Sequence, residues 1–252
     1  MRAYDRRQFL MQNLKIRGGW RLVAFLVFVS ALALGAPKAG FLKTYKGTPF
    51  HDSRYAGGAQ KIPGKVFCAY YDLGGEGVAY HDSDAKNNGS GALNPADGSY
   101  LHEFRMSEGV DTSFTKFGQT PQIDDNPFDK VTPEANLLYV GWTEPGEWFN
   151  MTVDATEAGD YAADLLYTSN RGGTISLSVN GAAVNGQAGS GAVYVDSTFD
   201  AADPVAWRQW HHWNMAKGIA RVHLAKGRNV LTVHILTGGN INLAWLDFKK
   251  VG

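Results

Sequence analysis

The stretch "TISLSVNG", residues 174 to 181, restricts the fold more than any other part of the chain. Ile175, Leu177 and Val179 alternate with Thr174, Ser176 and Ser178, and the run ends on Asn180-Gly181. A period of two places one set of side chains on each face of a strand, and Asn-Gly is the strongest short hairpin signal. The segment "WFNMTVDATEAGDYAADLLY" gives a second pair of strands. Phe149, Met151 and Val153 share one face, Glu157-Ala158-Gly159-Asp160 supplies the turn, and Tyr161, Ala163, Leu165 and Tyr167 resume the pattern. "ARVHLAKGRNVLTVHIL" reads as two strands joined at Ala225-Lys226-Gly227-Arg228, with Leu231, Val233 and Ile235 opposed to Thr232 and His234. "NINLAWLDFKKV" is strand-like but apolar on both sides, so its facing stays open. Beyond the N-terminal region no segment sustains a helical period for three turns. Short strands without intervening helices indicate an all-β protein, an antiparallel β-sandwich or jelly roll.

The first 36 residues differ from the rest. Arg2, Arg6, Arg7, Lys15, Arg17 and Arg21 stand against a single acid, Asp5, and an apolar run follows from Leu22 to Leu34. A basic segment, a short apolar run and small residues at Ala31 and Ala33 read as an export signal. The run is short for a membrane-spanning helix, which needs ~20 apolar residues; contact with a membrane is expected only through this signal if it stays uncleaved. "DRRQFLM" also resembles the twin-arginine export motif, although its apolar run begins far downstream. Either route leads to secretion, the periplasm or the cell envelope. The organisation is therefore an export signal over 1–36, a lead-in over 37–61 and a β-sandwich over 62–252.

The 252-residue chain carries 24 basic and 24 acidic residues. Removing the six bases and one acid of residues 1–36 leaves 18 against 23, a net of −5. Such a chain has no electrostatic case for binding nucleic acid. Cys68 is the only cysteine, which excludes an internal disulfide and a thiolate metal cluster; its apolar surroundings suit a small core residue.

The chemistry-bearing residues are less ordered. Glu144 and Glu147 flank Pro145-Gly146 and read as turn decoration rather than a catalytic pair, and no nucleophile elbow, nucleotide loop or zinc-protease motif occurs. His211 and His212 are adjacent and on a strand would point to opposite faces, so they cannot chelate together. Asp124, Asp125, Asn126 and Asp129 read as a solvated acidic turn, with calcium the alternative. No cofactor and no metal site is expected. The polar, Gly/Asn/Asp/Pro-rich region 81–130 is long for a loop in a compact domain and is the place to look for recognition.

"AWRQWHHW", 206–213, concentrates three tryptophans in eight positions. In a β protein part of this cluster is expected in the core and part exposed. An exposed ring suits the apolar face of a pyranose, while Asn and Asp satisfy its hydroxyls; the 7 Trp, 11 Tyr and 13 Phe supply such rings.

Several segments together resemble the carbohydrate-binding modules of family six and its relatives, which are galactose-binding-like jelly rolls. They are "IPGKVFCAYYDLGGEGVAYHD", "EFRMSEGVDTSF", "YVGWTEPGEWFNMTVDATEAGDY", "WRQW" and "GGNINLAWLDF", in family order over about 62–252. The resemblance implies non-catalytic binding of a poly- or oligosaccharide. It places the sugar between Phe104 and Trp207, assigns hydroxyl contacts to Asn242, and makes Trp210 and Trp245 core. It also implies that a structural calcium site common in the family is absent, because Phe67, Ala69 and Ala244 occupy the ligand positions. Two rivals are kept: a structural or adhesive cell-envelope domain, in which the 81–130 loops cover the rings, and a glycoside hydrolase using acids such as Glu147 or Asp125.

Overall fold

A computed structural model describes residues 40–186 and 191–252. The expected export signal over 1–36 lies outside the described residues. Among those described, no helix is long and apolar enough to cross a membrane.

A single helical turn, α1 (Phe41–Thr44), precedes the strands β1 (Gln60–Ile62), β2 (Gly64–Phe67), β3 (Tyr80–His81), β4 (Thr112–Phe114), β5 (Leu138–Val140), β6 (Trp148–Ala155) and β7 (Gly159–Ser169). They continue as β8 (Gly173–Val179), β9 (Ala182–Ala183), β10 (Asn185–Gly186), β11 (Ala192–Val195), β12 (Asn214–Leu224), β13 (Gly227–Thr237) and β14 (Ile241–Val251). The first sheet runs β1-β6-β13-β8-β11, with β3 beside β6 and β9 beside β8. The second runs β10-β12-β7-β14-β5-β4, with β2 beside β14. Strands pair antiparallel except β1 and β6, which run parallel. The protein is a β-sandwich.

The alternation read from the sequence points into the space between the sheets. Phe149, Met151 and Val153 of the first sheet meet Tyr161, Ala163, Leu165 and Tyr167 of the second, and Ile175, Leu177, Val179, Leu231, Val233 and Ile235 complete the layer. Cys68 is buried in the same cluster. Each such Leu or Ile contributes roughly 1.5–3 kcal/mol by leaving water. Asn180 and Gly181 close β8 onto β9 with φ of 50° and 74°, the two positive values that a two-residue type I′ turn requires.

The strand pairs at 148–169 and 214–237 depart from a hairpin arrangement. β6 lies in the first sheet and β7 in the second, and the same holds for β13 and β12. The connections at 156–158 and 225–226 are arches between sheets. Because both strands of each pair carry an apolar face, the faces bury each other across the sandwich instead of side by side. This crossing from sheet to sheet is the pattern of a jelly roll.

β14 resolves its own ambiguity with a bulge. Its register against β7 shifts between Leu243 and Trp245, so Leu243 and Leu246, three residues apart, both face the main core. Ala244 and Trp245 face outward into a second cluster with Leu137, Tyr139, Leu166 and Trp213. Phe67 packs against that cluster, and Ala69 belongs to a third with Phe50, Phe104, Phe114 and Leu138. The three apolar residues at the family's calcium positions thus pack among apolar side chains.

The lead-in packs against this body. The Tyr45 hydroxyl donates to Asp72 Oδ2 at 2.7 Å, and Thr152 donates to the same buried carboxylate through its amide (2.7 Å) and its hydroxyl (2.6 Å). Phe50 is buried, and Tyr55 and Tyr70 stack around it.

Replacing Leu246 by Ala opens a cavity where the bulged strand meets the core. The expected loss is about 2–5 kcal/mol, measured by urea unfolding.

Candidate functional site

The turn of 3-10 helix Ala206–Trp210 is built around a buried carboxylate. Asp203 accepts from Arg208 through Nε and Nη2, both at 2.7 Å, from His212 Nε2 at 2.7 Å, and from the Val205 amide at 2.9 Å. His212 Nδ1 faces the Thr198 carbonyl at 3.0 Å. Gln209 closes the turn by accepting from the Asp200 amide and donating to the Asp200 carbonyl. With Arg208 and Gln209 held inside, Trp207 is turned outward and is 46% exposed.

A second buried carboxylate holds the end of this segment. Asp124 Oδ1 faces His211 Nδ1 at 2.8 Å and accepts from Trp213 Nε1 at 2.7 Å, while its Oδ2 accepts from the Lys116 amide. Asp129 accepts from the Trp213 amide, and Asn126 donates to the His211 carbonyl. Residues 124–129 therefore form a largely covered bracket anchored by buried Asp124 and Asn126, not a solvated acidic turn, and N–H donors take up the carboxylates of Asp124 and Asp129. Burial pushes the Asp129 carboxyl up to about 7. No group of three or more His, Cys, Asp or Glu able to hold a metal occurs among the described residues.

Between the turn and the ends of β5 and β14 lies a cavity of about 360 Å³. It is lined by Trp207, Trp210 and His211 from the turn and its end, by Tyr139 and Trp142 from β5 and the residues after it, by Asn240 and Asn242 at the start of β14, and by Leu93. Asn242 is buried: its Nδ2 donates to Thr168 Oγ1 at 2.9 Å and to the Trp210 carbonyl at 2.8 Å. Its Oδ1 accepts no hydrogen bond among the described residues. Gly141 leaves room for that oxygen, since a Cβ there would lie 2.7 Å from it.

Trp142 has φ +49° and Asn240 φ +51°. A bulky residue in the left-handed region costs about 1–3 kcal/mol and persists only where its surroundings impose it. Here Thr143 Oγ1 donates to the Ile241 carbonyl at 3.1 Å and accepts from the Ile241 amide at 3.0 Å, clamping the chain after Trp142 to the start of β14. The loop 82–111 passes close beside the indole, since a Cβ on Gly89 would lie 3.0 Å from its ring. That loop is fixed by side chains. Asn87 Oδ1 accepts from the amides of Gly89, Ser90 and Thr112, and Asn94 donates to Ser113. It walls the cavity on one side and leaves Trp207 uncovered.

The structure brings Trp207 and Asn242 together but not Phe104. Phe104 is 2% exposed and packs against Phe50, Tyr70 and Tyr100, at centroid distances of 5.4–6.1 Å. The Arg105 that follows has φ +50° and lies 3.3 Å over the Tyr71 ring, so the aromatic-Arg pair serves the interior. Trp142 lines the cavity instead. Its signal was present in "YVGWTEPGEW", a tryptophan after a strand end and before a Pro-Gly turn, but its outward aim depends on a backbone angle the residue type disfavours. Trp245 is buried as expected, whereas Trp210 is half-buried and part of the cavity wall. Glu147 is buried and accepts from Ser83 and from the Glu144 amide, away from the cavity. Asp125 Oδ2 accepts from the Gly118 amide.

No protein-family model and no curated protein matches the chain. Similar solved structures include carbohydrate-binding modules. One is a family 35 module from Clostridium thermocellum, 23% identical over 48% of this chain and 86% of that one, with a TM-score of 0.36. Another is CsCBM6-3 from Clostridium stercorarium in complex with cellobiose, 12% identical over 78% of this chain and 100% of that one, with a TM-score of 0.43. A third is the module CBM6cm-2 from Cellvibrio mixtus lichenase 5A in complex with cellotriose, 20% identical over 48% and 84%, with a TM-score of 0.35.

Hydrogen bonds from Arg208, above all, hold the Asp203 carboxyl far below the usual carboxylate range. A carboxyl depressed in the folded state stabilises the fold fully above its unfolded value of about 4 and loses that contribution as pH falls through the folded value. Asp203→Asn, by leaving Arg208 buried without its counter-charge, is expected to lower stability at pH 7 by about 3–5 kcal/mol. It should also flatten the acid limb of stability against pH, both read from urea unfolding at a series of pH values.

Proposed function

We propose that the cavity is a non-catalytic binding site for a neutral sugar ring of a poly- or oligosaccharide. The observation that carries this reading is the convergence of Trp207, Trp142 and Trp210 with Asn242 and Asn240 on one open cavity. Apolar C–H faces of a pyranose pack on indole, and the hydroxyls at the ring edge need amide partners. Asn242 suits that role because its Nδ2 is fully used in holding the side chain, which leaves Oδ1 aimed and unfilled. Trp207 supplies the exposed stacking face and Trp142 the second wall, the place the sequence resemblance gave to Phe104. Among the described residues no Lys, Arg, Asp or Glu lines the cavity. A uronate would lose water from its carboxylate there without gaining a counter-charge. With residues 1–36 directing export, the ligand is a saccharide met outside the cytoplasm.

The test is calorimetric titration against a panel of soluble oligosaccharides, with pull-down on insoluble polysaccharides. Trp207→Ala is expected to weaken binding at least about tenfold, the loss of one stacked aromatic contact with its buried area, while hardly changing unfolding stability. Phe104→Ala is expected to do the reverse, costing about 3–5 kcal/mol of stability and leaving affinity in place where it folds. Binding that survives Trp207→Ala unchanged removes the cavity from the reading.

The charge argument gives a further expectation on the same panel. A ligand with a uronic acid at the bound position should bind at least about tenfold more weakly than its neutral counterpart, a difference of ~1.4 kcal/mol. Equal affinity for the two would contradict a neutral site.

A further inference from the structure

The geometry points to His211 as a ligand-binding residue of the cavity, with Nδ1 tied to Asp124 and Nε2 left to hydrogen-bond a hydroxyl of the bound sugar. This rests on the carbohydrate reading of the same site and adds to it a polar contact beside Trp207.

Three observations carry it. First, His211 lines the cavity and its side chain is 19% exposed, so the ring is neither core nor free in solvent. Secondly, its orientation is fixed from two directions. The buried Asp124 carboxylate lies 2.8 Å from Nδ1, and the Trp207 indole meets the imidazole edge to face at 6.1 Å, with 80° between the planes. Asp124 is itself immobilised by Trp213 Nε1 and the Lys116 amide, and it cannot swing to follow the histidine. Thirdly, Nε2 makes no hydrogen bond among the described residues, while both nitrogens of the neighbouring His212 are engaged.

The chemistry follows from ring geometry. The two nitrogens of an imidazole point to different sides of the ring, so a histidine whose Nδ1 faces an interior carboxylate presents Nε2 away from it. A carboxylate accepts only, so Nδ1 carries the proton, and Nε2 is the nitrogen left for a ligand. A sugar hydroxyl both donates and accepts, so it can pair with Nε2 in either state of the ring, and the same carboxylate-histidine arrangement orients imidazoles at metal sites. Asn242 Oδ1 is an acceptor. The site therefore contacts two hydroxyls of a ring stacked on tryptophan, which demands a particular placement of those hydroxyls rather than generic stickiness.

Two substitutions separate a ligand contact from a structural prop. His211→Asn keeps an amide near the place of Nδ1, within reach of Asp124, and has no atom where Nε2 stood. His211→Gln places an amide near Nε2 and loses the tie to Asp124. Both are titrated against the oligosaccharide that binds the wild-type chain best in the panel above, and both are melted. His211→Asn is expected to melt close to wild type and to bind about three- to tenfold more weakly, the loss of one hydrogen bond. His211→Gln is expected to melt lower and to bind more tightly than His211→Asn. Wild-type affinity in His211→Asn overturns the assignment, and so does equal weakening in both variants. If Trp207→Ala loses binding while His211→Asn does not, only the histidine contact falls. If the wild-type chain binds nothing in the panel, the carbohydrate reading and this inference fall together.

Discussion

The buried carboxylate of Asp203 decides how the tryptophan-rich segment is divided. A charge without solvent must be surrounded by donors, and Asp203 gathers Arg208, His212 and the Val205 amide around itself. Arg208 sits next to Trp207 in the chain, so drawing the guanidinium inward sends the indole outward. Asp124 repeats the device at the end of the segment, taking the Trp213 Nε1–H and pinning that ring in the interior. The segment has neither the ladder of a strand nor the length of a stable helix. Ion pairs and side-chain bonds supply the order that a regular backbone would otherwise give.

The sandwich itself was legible because alternation with a period of two survives at the level of single residues. Ile175, Leu177 and Val179, or Leu231, Val233 and Ile235, could be assigned to one face before any partner was known. What lies across that face could not be read. The arches at 156–158 and 225–226 have the same turn chemistry as a hairpin, and only the mutual burial of two apolar faces sends the second strand to the other sheet. β14 was ambiguous for a different reason: the bulge at Ala244 shifts the alternation midway, and both of its faces are covered.

The candidate site was partly legible. Trp207 and Asn242 stand in short motifs and line one cavity. Phe104 stands in a motif too, but its ring is claimed by Tyr100 close by and by Phe50 and Tyr70, which lie 54 and 34 residues upstream. Trp142 could not be ranked above other tryptophans, because its aim is imposed by Thr143 and Ile241, 98 residues apart. The acidic run 124–129 looked solvated for the same reason. Its partners, 211 to 213, are more than 80 residues downstream, and hydrogen bonds of that span leave no local pattern. The loop 82–111 uses Asn87 and Asn94 as substitute backbone, so side-chain hydrogen bonds hold that side of the cavity in place of a strand ladder.

The lead-in strap has a practical corollary. Asp72 is a buried acid whose oxygens are shared between Tyr45 and Thr152, and Phe50 and Tyr55 cap an aromatic patch that also buries Phe104. Anyone transplanting this sandwich onto another protein would therefore cut upstream of Phe41 rather than at the end of β1. A graft starting at Ile62 would carry a carboxylate stripped of its phenol and a greasy flank open to self-association.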